Sequence, residues 1–120
     1  MAAEATLTAT LSFVKGNLPI QTLAPGQQSI DVAGATYMRQ VQIVGTTREA
    51  MLLGDVGTPG YVMLHNCDAT NFVEVFPNNT DAGLVKLLKG EWAVFRLDSA
   101  APYLKADTAP CNVEIFLLPV

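Results

Sequence analysis

Tyr61-Val62-Met63-Leu64-His65-Asn66, Phe72-Val73-Glu74-Val75-Phe76-Pro77, Leu84-Val85-Lys86-Leu87-Leu88 and Gly90-Glu91-Trp92-Ala93-Val94-Phe95-Arg96-Leu97 are short apolar runs within one block of the chain, Leu52 to Leu97. They are rich in β-branched and aromatic residues, which suit a pleated surface. Gly, Pro, Asn and Asp separate them, and these residues favour turns. The block opens on Gly54-Asp55-Val56-Gly57-Thr58-Pro59-Gly60, a loop signature. Asn66 to Asn71, Pro77 to Gly83 and Lys89-Gly90 punctuate the rest, with Asx-type turn chemistry in the first. Runs of this length bounded by turn signals read as strands.

The flanks read the same way. Over residues 5–13, Ala5, Leu7, Ala9, Leu11 and Phe13 alternate with Thr6, Thr8, Thr10 and Ser12, the pattern of one half-buried strand. Leu18 to Leu23 is a short return strand that stops at Ala24-Pro25-Gly26, and Ser29 to Val32 is another. Gly34 and Gly45 bracket Tyr37 to Val44, which fits a strand better than a helix. Tyr103 to Ala106 and Cys111 to Leu118 are the last two strands. Turn signals recur about every 8–12 residues, the spacing of a sandwich or barrel. The expected fold is all-β: a single-domain antiparallel β-sandwich over residues 1–120, with about 8–10 short strands. A jelly roll is one topology the pattern leaves open. Residues 1–16 read as an N-terminal strand or arm used in assembly.

Strand parity divides each run into two faces. Trp92, Val94 and Arg96 oppose Glu91, Ala93, Phe95 and Leu97; Asn112, Glu114, Phe116 and Leu118 oppose Cys111, Val113, Ile115 and Leu117. In each case one face is core-like and the other mixes aromatics with charges or amides. Such mixed surfaces are frequent at protein interfaces. The candidate interface residues are Leu7, Leu11, Phe13, Tyr61, Phe76, Trp92 and Phe116, with Trp92 and Phe116 the strongest anchors. The competing reading has a second sheet or a long loop of the same chain covering these faces.

Composition points the same way. Half of the residues are hydrophobic and 15% are charged, against about 25% charged in ordinary globular chains. Surface buried between subunits accounts for such a deficit, and so does a merely apolar small domain. Net charge is −4, with seven Lys and Arg scattered along the sequence. No basic patch marks a nucleic-acid partner, and no apolar stretch is long enough to span a membrane; the longest is Ile115 to Val120. The start Met1-Ala2-Ala3-Glu4-Ala5 has no secretory pattern, so the expected product is cytoplasmic with reduced Cys67 and Cys111.

The chemistry-bearing residues are few. His65 is the single histidine; strand parity puts it on one face with Cys67, but a nucleophilic dyad needs separately oriented partners. His65, Cys67 and Cys111 cannot fill a zinc site without carboxylates. Asp55, Asp68, Asp81, Asp98 and Asp107 sit in turns, with no calcium-loop spacing. The expectation is no catalytic, cofactor or metal residue, and no enzyme activity. Tyr37, Tyr61, Trp92 and Tyr103 offer a carbohydrate-stacking alternative.

A family resemblance adds to this. Leu53-Gly54-Asp55-Val56-Gly57-Thr58-Pro59-Gly60-Tyr61, Asn66-Cys67-Asp68-Ala69-Thr70-Asn71-Phe72-Val73-Glu74-Val75, Leu87-Leu88-Lys89-Gly90-Glu91-Trp92-Ala93 and Tyr103-Leu104-Lys105-Ala106 resemble a group of small all-β structural proteins of tailed bacteriophages. The resemblance covers residues 47–118 and carries over no active site. It implies a virion protein, made in the bacterial host cytoplasm and needing no cofactor. The leading expectation is a capsid decoration (cement) protein that binds the major capsid protein or other virion proteins as a homo-oligomer, a trimer being favoured. The alternative is a tail-associated or receptor- or carbohydrate-binding β-sandwich module.

Overall fold

The computed structural model describes residues 4–32 and 34–119. Met1, Ala2 and Ala3 of the leader reading, and Val120 of the terminal apolar stretch, lie outside the described residues. The described chain is all-β, with twelve strands and no helix. It divides into two compact units, Met1–Ala33 and Gly34–Val120.

The first unit holds β1 (Ala5–Leu7), β2 (Leu11–Phe13), β3 (Gln21–Leu23) and β4 (Gln28–Ile30). They form a nested hairpin: β2 pairs with β3, and β1 with β4, both antiparallel. Leu18 N–H donates to Lys15 O at 3.0 Å to close a turn. Gly16, at φ 52°, supplies the positive φ its first central position needs. At the other end Val32 N–H donates to the Glu4 carboxylate at 3.0 Å.

The single strand expected over residues 5–13 is in fact two. Leu7 pairs with Gln28 and Leu11 with Leu23, so residues 8–10 face the longer stretch 24–27. Pro25 in that stretch has no N–H to give a ladder, and Gly26 turns at φ 95°. The extra residue breaks the pairing there, as a bulge does.

The second unit holds β5 (Met38–Val44), β6 (Glu49–Ala50), β7 (Pro59–Asn66), β8 (Val73–Phe76), β9 (Val85–Leu87), β10 (Trp92–Arg96), β11 (Tyr103–Ala106) and β12 (Cys111–Pro119). One sheet has the order β10-β7-β12-β5 and the other β6-β11-β8-β9. β5 pairs with β12, β6 with β11, β7 with β10 and β8 with β9, all antiparallel. Each strand thus pairs with its mirror image along the chain, as if one long hairpin were rolled into two sheets. That order is a jelly roll.

The inward faces meet in one core. Val44, Val62, Leu64, Cys111, Val113, Ile115 and Leu117 come from the first sheet, and Val73, Val75, Leu87, Leu104 and Ala106 from the second. The alternation β12 shows, buried at every odd position from Cys111 to Leu117, places its even residues on the outer face. Gln42, opposite the core residue Val113, is buried on the inner face but fully used. Its amide nitrogen donates to Glu49 Oε1 and Ala50 O, both at 3.0 Å, and its oxygen accepts from Leu52 N–H at 2.9 Å. This side chain ties β5 to the start of the loop before β7.

That loop fixes Gly54. Its φ is 58°, and a Cβ there would stand 2.6 Å from Cγ of the buried Met38. Gly54→Ala adds a left-handed backbone penalty of about 1–2 kcal/mol to overpacking of about 1–3 kcal/mol. The expected result is a lower urea midpoint at unchanged slope. A loss below about 0.5 kcal/mol, the range of inert surface changes, would show that the loop yields freely.

Candidate functional site

The outer face of the first sheet carries the largest concentration of exposed aromatic and chemistry-bearing side chains. Register sets it out in rows, because residues paired across strands share a face. Trp92, His65, Glu114 and Val41 form one row across β10, β7, β12 and β5; Val94, Met63, Phe116 and Arg39 form the next. Beyond β7, Cys67 N–H donates to Asn112 O at 2.9 Å, which continues the pairing towards Ile43. Trp92 is 51% exposed and Phe116 42%; Met63, Val41, Ile43 and Tyr37 are exposed as well. Tyr37 meets Phe116 edge-on, with ring centroids 6.3 Å apart.

The expected interface residues separate into three groups. Leu11 and Phe13 are exposed on the hairpin of the first unit, and Leu7 there is half-buried. Trp92 and Phe116 stand on adjacent rows of the sheet face. Tyr61 and Phe76 are buried, and a guanidinium covers each ring: Arg96 over Tyr61 at 4.7 Å and Arg48 over Phe76 at 3.7 Å. Those cations fill the place a partner would take, so Tyr61 and Phe76 are not presented for contact. Nor do the four aromatics of the carbohydrate alternative converge. Tyr103 alternates with the core residues Leu104 and Ala106 on β11, which puts it on the outer face of the other sheet.

A shallow depression on the first sheet is lined by Arg39, Met63, His65, Trp92, Glu114 and Phe116. At its edge three ligating side chains gather. His65 Nδ1 donates to Glu114 Oε1 at 2.8 Å, and Cys67 Sγ lies 3.5 Å from the same oxygen and 3.6 Å from Nδ1. Arg39 approaches the other carboxylate oxygen, Oε2, at 3.9 Å. The hydrogen bond from His65, then that from Cys67, holds the Glu114 carboxyl below the usual carboxylate range. Partial burial, then the hydrogen bond to Glu114, pushes the Cys67 thiol up.

This arrangement is unlike a nucleophilic triad. A triad histidine takes the nucleophile on one ring nitrogen and the carboxylate on the other; here both partners converge on Nδ1. The raised thiol is also the wrong direction for an activated cysteine. Strand parity pairs His65 with Cys67, but Asp68, the carboxylate next in sequence, bonds within its own turn, so the pair still lacks a local carboxylate. Glu114 supplies it from β12, forty-nine residues from His65, and only the β7–β12 register reveals that. The turn aspartates do local work instead: Asp68 accepts from Thr70 and Asn71 N–H, bonds that hold its carboxyl below the ordinary range. Comparison with protein-family models, curated proteins and solved structures finds no match to the chain.

Proposed function

We propose that this protein is a structural component of a tailed-bacteriophage particle, a capsid decoration (cement) protein that acts by binding alone. The observation that carries the reading is the apolar surface left open in two places. The sheet face presents Trp92, Met63, Phe116, Val41 and Ile43, the aromatic-rich composition of an interface centre. The hairpin of the first unit presents Leu11, Phe13, Val14, Leu18, Ile20 and Leu23. The phage-like turn and strand order of residues 47–118 supports the same reading.

The two surfaces serve two contacts. The sheet face binds the major capsid protein or a neighbouring virion protein. The hairpin binds further copies of this chain. A two-stranded ribbon is marginal in water on its own, and this one is uncharged over residues 5–14 and 16–30, so no charge guards its edges. Its two edges differ, one formed by β1 and β2 and the other by β3 and β4. A ring of three needs two different patches on each copy, and edge-to-edge strand addition supplies them. Such head-to-tail contacts close a ring of copies, and the phage resemblance is what favours a trimer. Repetition over a shell then multiplies weak individual contacts into avidity.

Trp92→Asp tests the sheet face. The variant is expected to keep its β circular-dichroism signal, because half the indole is already in water, and to lose at least about thirtyfold in affinity for the shell, the least that removal of an interface hot spot costs. Global unfolding would instead make Trp92 a core residue. Copy number in purified particles separates the two virion readings. A decoration protein recurs across the whole shell, whereas a tail component is present in few copies and would sink the decoration reading.

A further inference from the structure

We propose that His65, Cys67 and Glu114 form a binding site for a borderline divalent cation, zinc above all, with water in the fourth position. The inference stands on geometry and is independent of the particle reading. Among the described residues this is the one group of three such ligands whose donor atoms all lie within 4.8 Å of one another.

The triangle has the dimensions of a tetrahedral zinc face. Bond lengths of about 2.3 Å to sulfur, 2.0–2.1 Å to imidazole nitrogen and 2.0–2.2 Å to carboxylate oxygen place tetrahedral ligands apart by about 3.6 Å for S–N, 3.6 Å for S–O and 3.4 Å for N–O. The observed separations are 3.6 Å, 3.5 Å and 2.8 Å. The two sulfur edges already fit. The third is short because a proton, not a metal, now bridges Nδ1 and Oε1; opening that edge by about half an ångström takes only a rotation of half-exposed side chains.

The frame holding the ligands is rigid where it matters. His65 and Glu114 are direct cross-strand partners on β7 and β12, and Cys67 follows two residues later with its backbone bonded to Asn112. Arg39 lies near Glu114 Oε2, which leaves Oε1 turned towards the other two ligands. A sulfur, a nitrogen and one oxygen select zinc, cobalt or similar ions over calcium and magnesium, which want oxygen alone. The exposed face leaves the fourth position to solvent.

Proton balance follows from the present hydrogen bonds. The Cys67 thiol gives up its proton to solvent as the S–metal bond forms. His65 moves its proton from Nδ1 to Nε2, freeing the Nδ1 lone pair, and the metal loses the waters that the three ligands replace. Binding thus releases about one proton per ion from a thiol-bearing chain at neutral pH.

Cobalt(II) titrated into the reduced, full-length chain tests the site. The expected result is saturation at one ion per chain, with a thiolate-to-cobalt charge-transfer band and tetrahedral d–d bands that zinc abolishes. Zinc should also raise the melting temperature of the chain, since it binds the folded form. Cys67→Ala should remove the charge-transfer band. Glu114→Gln, which keeps the side chain's shape, should weaken cobalt binding by at least about 100-fold, since even outer partners of ligands are worth about 10–100-fold. Circular dichroism of each variant establishes that it folds. A cobalt spectrum without a thiolate band, or one that Cys67→Ala leaves unchanged, would overturn the proposal, as would binding indifferent to Glu114→Gln in the folded variant.

Discussion

Asn66→Asp is expected to lose about 4 kcal/mol or more of stability at neutral pH, beyond the range of ordinary substitutions. The Asn66 side chain is fully buried at the end of β7. Its amide nitrogen donates to Asn71 O at 2.9 Å, Leu87 O at 3.1 Å and Leu88 O at 3.2 Å, and its oxygen accepts from Asp68 N–H at 3.0 Å. The backbone of Asn66 adds bonds to Glu91 O and Gly90 N–H. One residue therefore joins β7, the 68–71 loop, the end of β9 and the turn into β10. Aspartate turns the donor into an oxygen facing three carbonyl oxygens. Ionised, it is a buried charge without a partner; protonated, it has one hydrogen for three acceptors.

The pH dependence separates this mechanism from simple loss of bonds. Burial raises the folded-state pKa of the new carboxyl above its unfolded value of about 3.9. The folded state then holds the proton longer, so the variant is least impaired below about pH 4 and loses about 1.4 kcal/mol per pH unit above it, until the folded pKa is passed. Asn66→Leu strands the same carbonyls without a titrating group. It should cost about 3–5 kcal/mol at every pH, the sum of several buried unsatisfied groups. Urea unfolding of both variants at acid and neutral pH makes the comparison. An Asn66→Asp chain within about 1 kcal/mol of the parent at pH 7, an ordinary surface effect, would show that the buried knot opens to water.

Strand parity was legible in the sequence because it is local. The alternation from Tyr37 to Val44 sets Tyr37, Arg39, Val41 and Ile43 on one face and Met38, Gln40, Gln42 and Val44 on the other; the fold exposes the first set and buries Met38, Gln42 and Val44 of the second, while Gln40 stays exposed. The same holds for Trp92 and Phe116. What parity cannot supply is register between strands far apart in the chain. Glu114 beside His65 is a register fact, and so are the guanidiniums of Arg48 and Arg96 over Phe76 and Tyr61. Those two rings look like contact anchors on their strands because the cation that covers each lies elsewhere in sequence. The mirror-image pairing of β5 to β12 is likewise long-range, so the turn spacing alone leaves the sandwich topology open. The break between β1 and β2 has a local cause, Pro25-Gly26, but it acts across the hairpin on residues whose own alternation runs on unbroken.

A chain carrying Leu11→Glu and Leu23→Glu is expected to be a folded monomer, and the parent, on the proposed function, an oligomer. The two leucines are direct cross-strand partners on one face of the hairpin, 73% and 66% exposed. In a lone chain the substitutions therefore meet water, apart from mutual repulsion of charges set opposite each other, and the core of the second unit contains neither. Within an assembly that closes over the hairpin, both carboxylates lose water without gaining a partner. Stranding one buried charge costs about 3–5 kcal/mol, and about 1.4 kcal/mol is tenfold in affinity, so self-association should weaken at least about a thousandfold. Light scattering across a concentration series reads the mass, and urea unfolding monitored at Trp92 reads the second unit. A monomer with an unchanged midpoint identifies the hairpin as the self-contact. If the mass stays above that of a monomer, the hairpin is not what joins the copies, and the Trp92–Phe116 sheet face becomes the surface to disrupt.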